Sequence, residues 1–260
     1  MSIQNHNKLK NFPPVHFIST IDSEERRNLL LKKFKNYNIK NLTSHIFKRY
    51  EEGDYIFHGE YIDKMIGPGR GPLTSHLRTI KGWYYGTDEP YAFFCEDDLS
   101  LETIDYWNFT WEEFYNNLPS DWECVQLCWV RENFYTFNVE FRNRCWCDWS
   151  GCAYLISRKY AKKVIENYYY DHEFHLDLNG SDIEQRPEWA KIPVIETVIF
   201  SSIGKIYGFP LFTEDVLNCL TTWRWGSGNE VNLYSYQQTI EWWKNNGQFL
   251  TLSDHFKNIP

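Results

Sequence analysis

The chain has 260 residues, of which 42% are hydrophobic and 24% charged. That is the balance of an ordinary globular protein with apolar residues enough for a core, in one large domain or two small ones. The net charge of −8 and the lack of any long Lys/Arg block exclude duplex nucleic acid as a partner. Aromatic residues make up 18% of the chain. Flat rings serve as platforms for sugars and equally fill cores, and the core is the simpler destination for most of them.

In chain order, residues 1–14 read as a flexible polar tail. They contain no apolar stretch, hence no signal peptide or transmembrane anchor, and a cytoplasmic location is expected. Val15 to Thr20 reads as a first strand. Asp22 or Ser23 can cap a helix from Glu24 to Tyr37, with Glu24 and Glu25 in its first turn. Strand, turn and capped helix make an α/β opening. Residues 66–72 form a glycine-rich loop that lacks the Lys-Ser/Thr ending of a P-loop. A helix is expected from Leu73 to Tyr85, and Asp88-Glu89-Pro90 turns the chain into the next strand.

That strand carries the most informative feature of the sequence. Tyr91-Ala92-Phe93-Phe94-Cys95 is a short apolar run that ends in Glu96-Asp97-Asp98 before the apolar sequence resumes at Leu99. Three acids at the end of a buried strand repel one another and are costly to desolvate, unless a divalent cation sits among them. Strand alternation would put Glu96 and Asp98 on one face and Asp97 on the other. Open α/β sheets bind ligands at the carboxyl ends of their strands, so the pattern points to a metal-assisted site for a phosphate-bearing substrate.

Further along, strands are expected around Val125-Gln126-Leu127 and over Gly151 to Ser157. A helix with Ala161, Val164 and Ile165 on one face follows from Arg158 to Tyr168. Residues 171–190 are polar and loop-like. Val194 to Ser201 and Ile206 to Phe212 read as extended, and a short helix is expected from Tyr236 to Asn245. The seven cysteines include no CxxC pair, and Cys145 and Cys147 are too close for an ordinary bridge. Free buried thiols in a reducing compartment are the expectation.

Several separated segments resemble glycosyltransferase family 25, which includes bacterial lipopolysaccharide galactosyltransferases and the collagen galactosyltransferase group. They are Phe17-Ile18-Ser19-Thr20-Ile21-Asp22 with Glu25-Arg26-Arg27, Gly71-Pro72-Leu73-Thr74-Ser75-His76, and Phe94-Cys95-Glu96-Asp97-Asp98. Gly151 to Arg158, Pro193-Val194-Ile195-Glu196 and Ile206 to Phe212 follow in the same order as in the family. Pro72 stands where the family has Cys, and Glu196 where it has Asp. The resemblance covers residues 15–215, with 216–260 left as a C-terminal extension packed on the same domain. It implies an α/β fold of GT-A type: a nucleotide-binding sandwich with a central mixed sheet flanked by helices.

The activity implied is transfer of a hexose, galactose or glucose, from a UDP-sugar to a glycan, lipid-linked or protein acceptor, with inversion. In that reading Asp98 ligates Mn²⁺, or Mg²⁺ in its place, because hard oxygen donors suit either ion. Glu96 stands close by on a water or the ribose, Asp97 orients the sugar or a backbone amide, and His255 is a further candidate ligand. Ser19, Thr20, Asp22 and Arg26 face the nucleotide from the first strand and its turn, with Ser75 and His76 on the same edge. Glu196 is the first choice of general base, and Asp148 and Asp182 are the alternatives. His172 and His175 have no assigned role, while Trp146, Trp149, Trp223 and Trp225 are candidates to stack on an acceptor sugar. A catalytically weak, GT-A-shaped carbohydrate-binding module is the alternative reading. A nucleotidyltransferase is disfavoured because Ser19 to Arg27 contains no glycine.

Overall fold

The computed structural model describes residues 5–48, 55–58, 70–131, 139–177, 186–187, 191–200, 203–216 and 228–256. In chain order these form α1 (Asn5–Lys8), β1 (Val15–Thr20), α2 (Glu24–Asn36), β2 (Leu42–Phe47), β3 (Tyr55–His58), α3 (Arg70–Gly86), β4 (Tyr91–Glu96) and β5 (Leu99–Ser100). There follow α4 (Trp111–Asn116), β6 (Cys124–Gln126), β7 (Arg142–Asn143), β8 (Ala153–Ser157), α5 (Arg158–Tyr168), β9 (Tyr169–Tyr170) and β10 (Glu173–Asp177). The last are α6 (Ile195–Val198), β11 (Ile206–Gly208), β12 (Thr213–Glu214), α7 (Gly228–Asn246) and α8 (Leu252–Phe256).

Seven strands make a central mixed sheet in the order β2-β1-β4-β8-β6-β11-β7. β1 runs parallel to β2 and β4, and β8 is antiparallel to both of its neighbours, β4 and β6. Helices flank the sheet, so the chain has the α/β sandwich architecture that the sequence leads one to expect. β3, β10 and β9 form a separate three-stranded sheet, and β12 pairs with β5.

Strand alternation divides the core cleanly. Phe93 and Cys95 of β4 and Ala153 and Leu155 of β8 join one cluster, with Leu30 and Phe34 of α2. Ala92, Phe94, Tyr154 and Ile156 point the other way, into a cluster with Leu73, Leu77 and Ile80 of α3 and Tyr160, Ala161 and Val164 of α5. Strands buried on both faces read as continuous apolar runs, which is why β4 and β8 stand out in the sequence. Because α2 and α3 lie on opposite faces, the winding direction reverses between β1 and β4. That reversal is the switch point at which open sheets form a ligand crevice.

Several elements differ from expectation. The tail over 1–14 is packed from Leu9 onward: Leu9 is buried and Phe12 meets Trp111 edge-on at 4.5 Å. Of the segment Val194 to Ser201, the described residues 194–200 contain the helical turn α6 and no strand; an apolar segment this short does not reveal its period. The polar stretch 171–190 includes β10. The short helix expected over 236–245 is the 19-residue α7. Trp243 on α7 is fully buried, and its indole N–H donates to Pro210 O at 2.9 Å. The described part of the C-terminal extension therefore builds core. Among the described residues no helix is long and apolar enough to cross a membrane.

One pH response follows from the β1–β2 edge. His16 is buried, with Nδ1 3.0 Å from His45 Nε2, so one of these nitrogens has to accept and at least that ring is neutral. Burial, helped by His45, holds the His16 imidazole down at about 4. Between pH of about 6.5 and 4 the unfolded chain takes up a proton that the folded chain refuses, so this pair destabilises the fold as pH falls. Carboxylates titrate in the same window, so the readout is a difference. His16→Gln should gain thermal midpoint relative to the parent chain as pH drops from 7 to 4.5, and a constant offset would refute the assignment.

Candidate active site at the carboxyl end of the sheet

β1 and β4 end side by side, with Ile18 opposite Glu96 in register. Each acid of the 96–98 run meets a different partner. His76, fully buried on α3, has Nε2 2.9 Å from Glu96 Oε1 and Nδ1 2.9 Å from the Tyr154 hydroxyl. A carboxylate only accepts, so Nε2 carries a proton; in the neutral ring the Tyr154 O–H then donates to Nδ1. Asp97 accepts from Ser19 Oγ at 2.6 Å and pairs with Arg26 Nη2 at 2.8 Å. Burial still raises the Asp97 carboxyl above its ordinary range, with Ser19 and Arg26 pulling it back.

Asp98 faces the β12 ribbon. Its backbone O accepts from Asp215 N–H, and its carboxyl is buried beside Glu214. Both are pushed well up: Asp98 by burial, Glu96 and Asp97, and Glu214 by burial, Asp98, Glu96 and Glu196. Like charges in a poorly solvated site each favour the neutral form of the other. Strand alternation does not run through these three acids, because the strand ends at Glu96 and a turn sends Asp97 toward α2 and Asp98 toward β12.

A second set of contacts ties Glu196 to the same place. Ser150 N–H donates to Glu196 Oε1 at 2.7 Å; the Ser150 hydroxyl donates to Cys128 Sγ at 3.7 Å and lies near enough to Glu214 to pull its carboxyl back down. Ser150 has φ of 102°, a conformation disfavoured for any residue with a Cβ. Bonds from Gln126 Nε2 to Ser150 O at 2.9 Å and from Cys152 N–H to Ser150 Oγ at 3.1 Å hold it there. Asn232 of α7 donates to Glu214 Oε2 at 2.9 Å. Arg26, Leu29, Leu30, Lys33, Asp97, Asp98, Leu99 and Asp215 line a shallow cleft beside these acids, with a cavity volume of about 10 Å³. That is room for one water and far below the volume of a small-molecule site, so the cleft as it stands does not enclose a nucleotide.

The structure thus brings Glu96, Asp97, Asp98 and Glu196 together with Ser19 and Arg26. Thr20 is one turn away, bonded to Ser23 Oγ at 2.7 Å, and Asp22 is exposed in the β1–α2 turn. Ser23 caps α2 by position but spends its hydroxyl on Thr20 and Arg26 instead of a helix N–H. Other expectations need correction. Ser75 is buried and donates to Gly71 O within its own helix, so it does not face a ligand. Asp148 is fully buried, gripped by Arg131 at 2.8 Å and Arg142 at 2.6 Å, which makes it an anchor rather than a base. His255 sits by Trp242, Asp254 and Glu140, not among the acids, so it is no metal ligand here. His175 pairs with His58 on the small sheet, and His172 lies in the β9–β10 turn. Trp146 and Trp149 are half-buried near Asp148. Asp182, Trp223 and Trp225 lie outside the described residues.

Sequence reasoning missed Glu214 and Ser150. An apolar segment ending in Thr213-Glu214-Asp215 repeats the pattern of the 91–98 run and could have flagged the first. Nothing in the local sequence marks Ser150 as strained. Among the described residues no group of three or more His, Cys, Asp or Glu side chains is arranged to hold a metal ion unaided. No family model matches the chain, and no curated protein matches it.

Gly151 sets the spacing between Ser150 and α6. A Cβ there would stand 2.6 Å from Ile195 Cδ1 and 2.8 Å from Cγ2, and Ile195 is itself buried. Gly151→Ala should cost about 1–3 kcal/mol as an overpacked core change, read from the urea midpoint. An unchanged midpoint would mean that α6 yields freely and that Glu196 is not held by packing.

Proposed function

We propose that this chain is a metal-dependent hexosyltransferase that takes a sugar from a UDP-sugar, galactose or glucose being the candidates, to a glycan, lipid-linked or protein acceptor with inversion. The observation that carries the reading is the convergence of Asp98, Glu96, Glu214 and Glu196 at the β1–β4 switch point. The resemblance of six ordered segments to family 25, two of which carry these same acids, agrees with it.

The donor set suits a hard dication that keeps most of its shell for water and diphosphate, because such ions are held by one or two carboxylates plus substrate phosphates. Asp98 would hold Mn²⁺ or Mg²⁺, with Glu96 next to it. When bound, the ion neutralises charge on the departing diphosphate. The protein side of the chemistry is otherwise orientation and proton removal. His76 and Tyr154 fix the rotamer of Glu96. Arg26 and Ser19 hold Asp97 and keep the turn in shape. Ser150 N–H fixes one oxygen of Glu196, which leaves the other to accept the proton of an acceptor hydroxyl.

One observation favours the second reading, a sugar-binding module without turnover: the described residues supply no complete three-donor metal group. The two readings part on turnover. Nucleotide release from UDP-, GDP- and CMP-sugars should depend on Mn²⁺ or Mg²⁺ for one donor, vanish with chelator and fall at least ~100-fold in Asp98→Asn. Glu196→Gln should slow transfer by about 10²–10⁴ with donor binding unchanged. Sugar binding with no release from any donor, with or without metal, would leave the binding module as the better account.

A further inference from the structure

The loop between β7 and β8 holds two thiols side by side. The sulfurs of Cys145 and Cys147 are 2.7 Å apart. A single intervening residue permits that only because the loop turns both side chains the same way, and the turn is fixed by Asp148. Its N–H donates to Cys145 O at 3.0 Å, and its Oδ2 accepts from Cys145 N–H at 2.9 Å. Arg131 and Arg142 lock the same carboxylate in place. Cys147 is buried behind Cys145, which is half-exposed, so among the described residues the expectation of buried thiols fails at Cys145 alone. Cys95, Cys124, Cys128 and Cys152 are buried, and burial raises each of these thiols. They are closed to solution oxidants, whereas Cys145 is not.

We propose that Cys145 and Cys147 form a redox-active dithiol that exchanges with small-molecule disulfides, Cys145 attacking and Cys147 resolving. The Cys145 thiolate attacks one sulfur of R–S–S–R, forms a mixed disulfide and expels RS⁻. Cys147 then loses its proton to the expelled thiolate and attacks Cys145 Sγ. The internal disulfide forms and the second RS⁻ leaves, to be protonated from solvent. The balance is one protein dithiol and one small disulfide giving one protein disulfide and two small thiols. Closing so small a ring strains the bridge, which makes it easily reduced and therefore reversible.

The charges around the pair agree with this division of labour. The hydrogen bond from Cys147 brings the Cys145 thiol down to about 6, aided by Arg142 and opposed by burial and Asp148. The same contact pushes Cys147 up, with Arg131 opposing. Arg131 Nη2 also lies 3.5 Å from Cys147 Sγ.

The test equilibrates the full chain in mixtures of reduced and oxidised glutathione, quenches with acid, alkylates and digests with trypsin. The peptide from Cys145 to Arg158 carries three cysteines. The proposal expects it to become two hydrogens lighter with Cys152 alone alkylated, and to revert in excess reduced glutathione. In Cys147→Ser the glutathione adduct on Cys145 should persist, and in Cys145→Ser neither species should form. Cys147→Ala should also slow alkylation of Cys145 at pH 7 about tenfold or more, because the thiolate loses its donor. Full alkylation of Cys145 and Cys147 in the parent chain at every ratio, or a bridge that includes Cys152, would overturn the proposal.

Discussion

Glu96, Asp97 and Asp98 leave a strand that is buried on both faces, and each carboxylate has to be matched where it stands. Glu96 is met by a buried histidine and Asp97 by an arginine and a serine hydroxyl. Asp98 faces Glu214, a like charge. Burying charge without a counterion is among the costlier things a fold does, and the usual relief is protonation or a bound cation. The arrangement around β4 follows from that need: His76 from α3 on one face, Arg26 from α2 on the other, and the β12 ribbon carrying a further acid where a neutral residue would have been cheaper. Such unfavourable placements concentrate at functional sites.

The second constraint is spacing. Ser150 in a strained conformation, Gly151 against Ile195 and the single helical turn α6 together bring Glu196 to within electrostatic reach of Glu214. Remote sequence segments are thus drawn to one end of the sheet by local devices of a few residues each. The C-terminal helix α7 contributes Asn232 to the same acid while burying Trp243 against Phe209, which ties the fold's completion to the site's geometry.

Much of the scaffold could be read from the sequence because β4, β8 and α5 carry strong periodic signals. Their apolar residues are buried on both faces, or on one helical face, and the acids after Phe94-Cys95 interrupt that pattern. The edges could not be read in the same way. β2 is half-exposed and shows no alternation, whereas β10 alternates, with Phe174 and Leu176 buried, but over only five residues inside a polar stretch. α6 is too short to reveal a helical period. Within the site, the residues adjacent to strong strands, Ser19, Arg26, Glu96, Asp97 and Asp98, were legible. Glu214 was hidden by a two-residue strand. Asp148 and His255 qualify by residue type alone, and the structure gives one to an arginine pair and the other to a remote aromatic surface.

The central claim is that the acids at the end of β4 form a nucleotide site that needs a dication. Calorimetric titration of UDP into the full chain, with Mn²⁺ and with chelator, for the parent and for Asp98→Asn, tests it directly. The account predicts binding only in the parent chain with Mn²⁺ present. Equal UDP affinity with chelator, or undiminished affinity in Asp98→Asn, would contradict it.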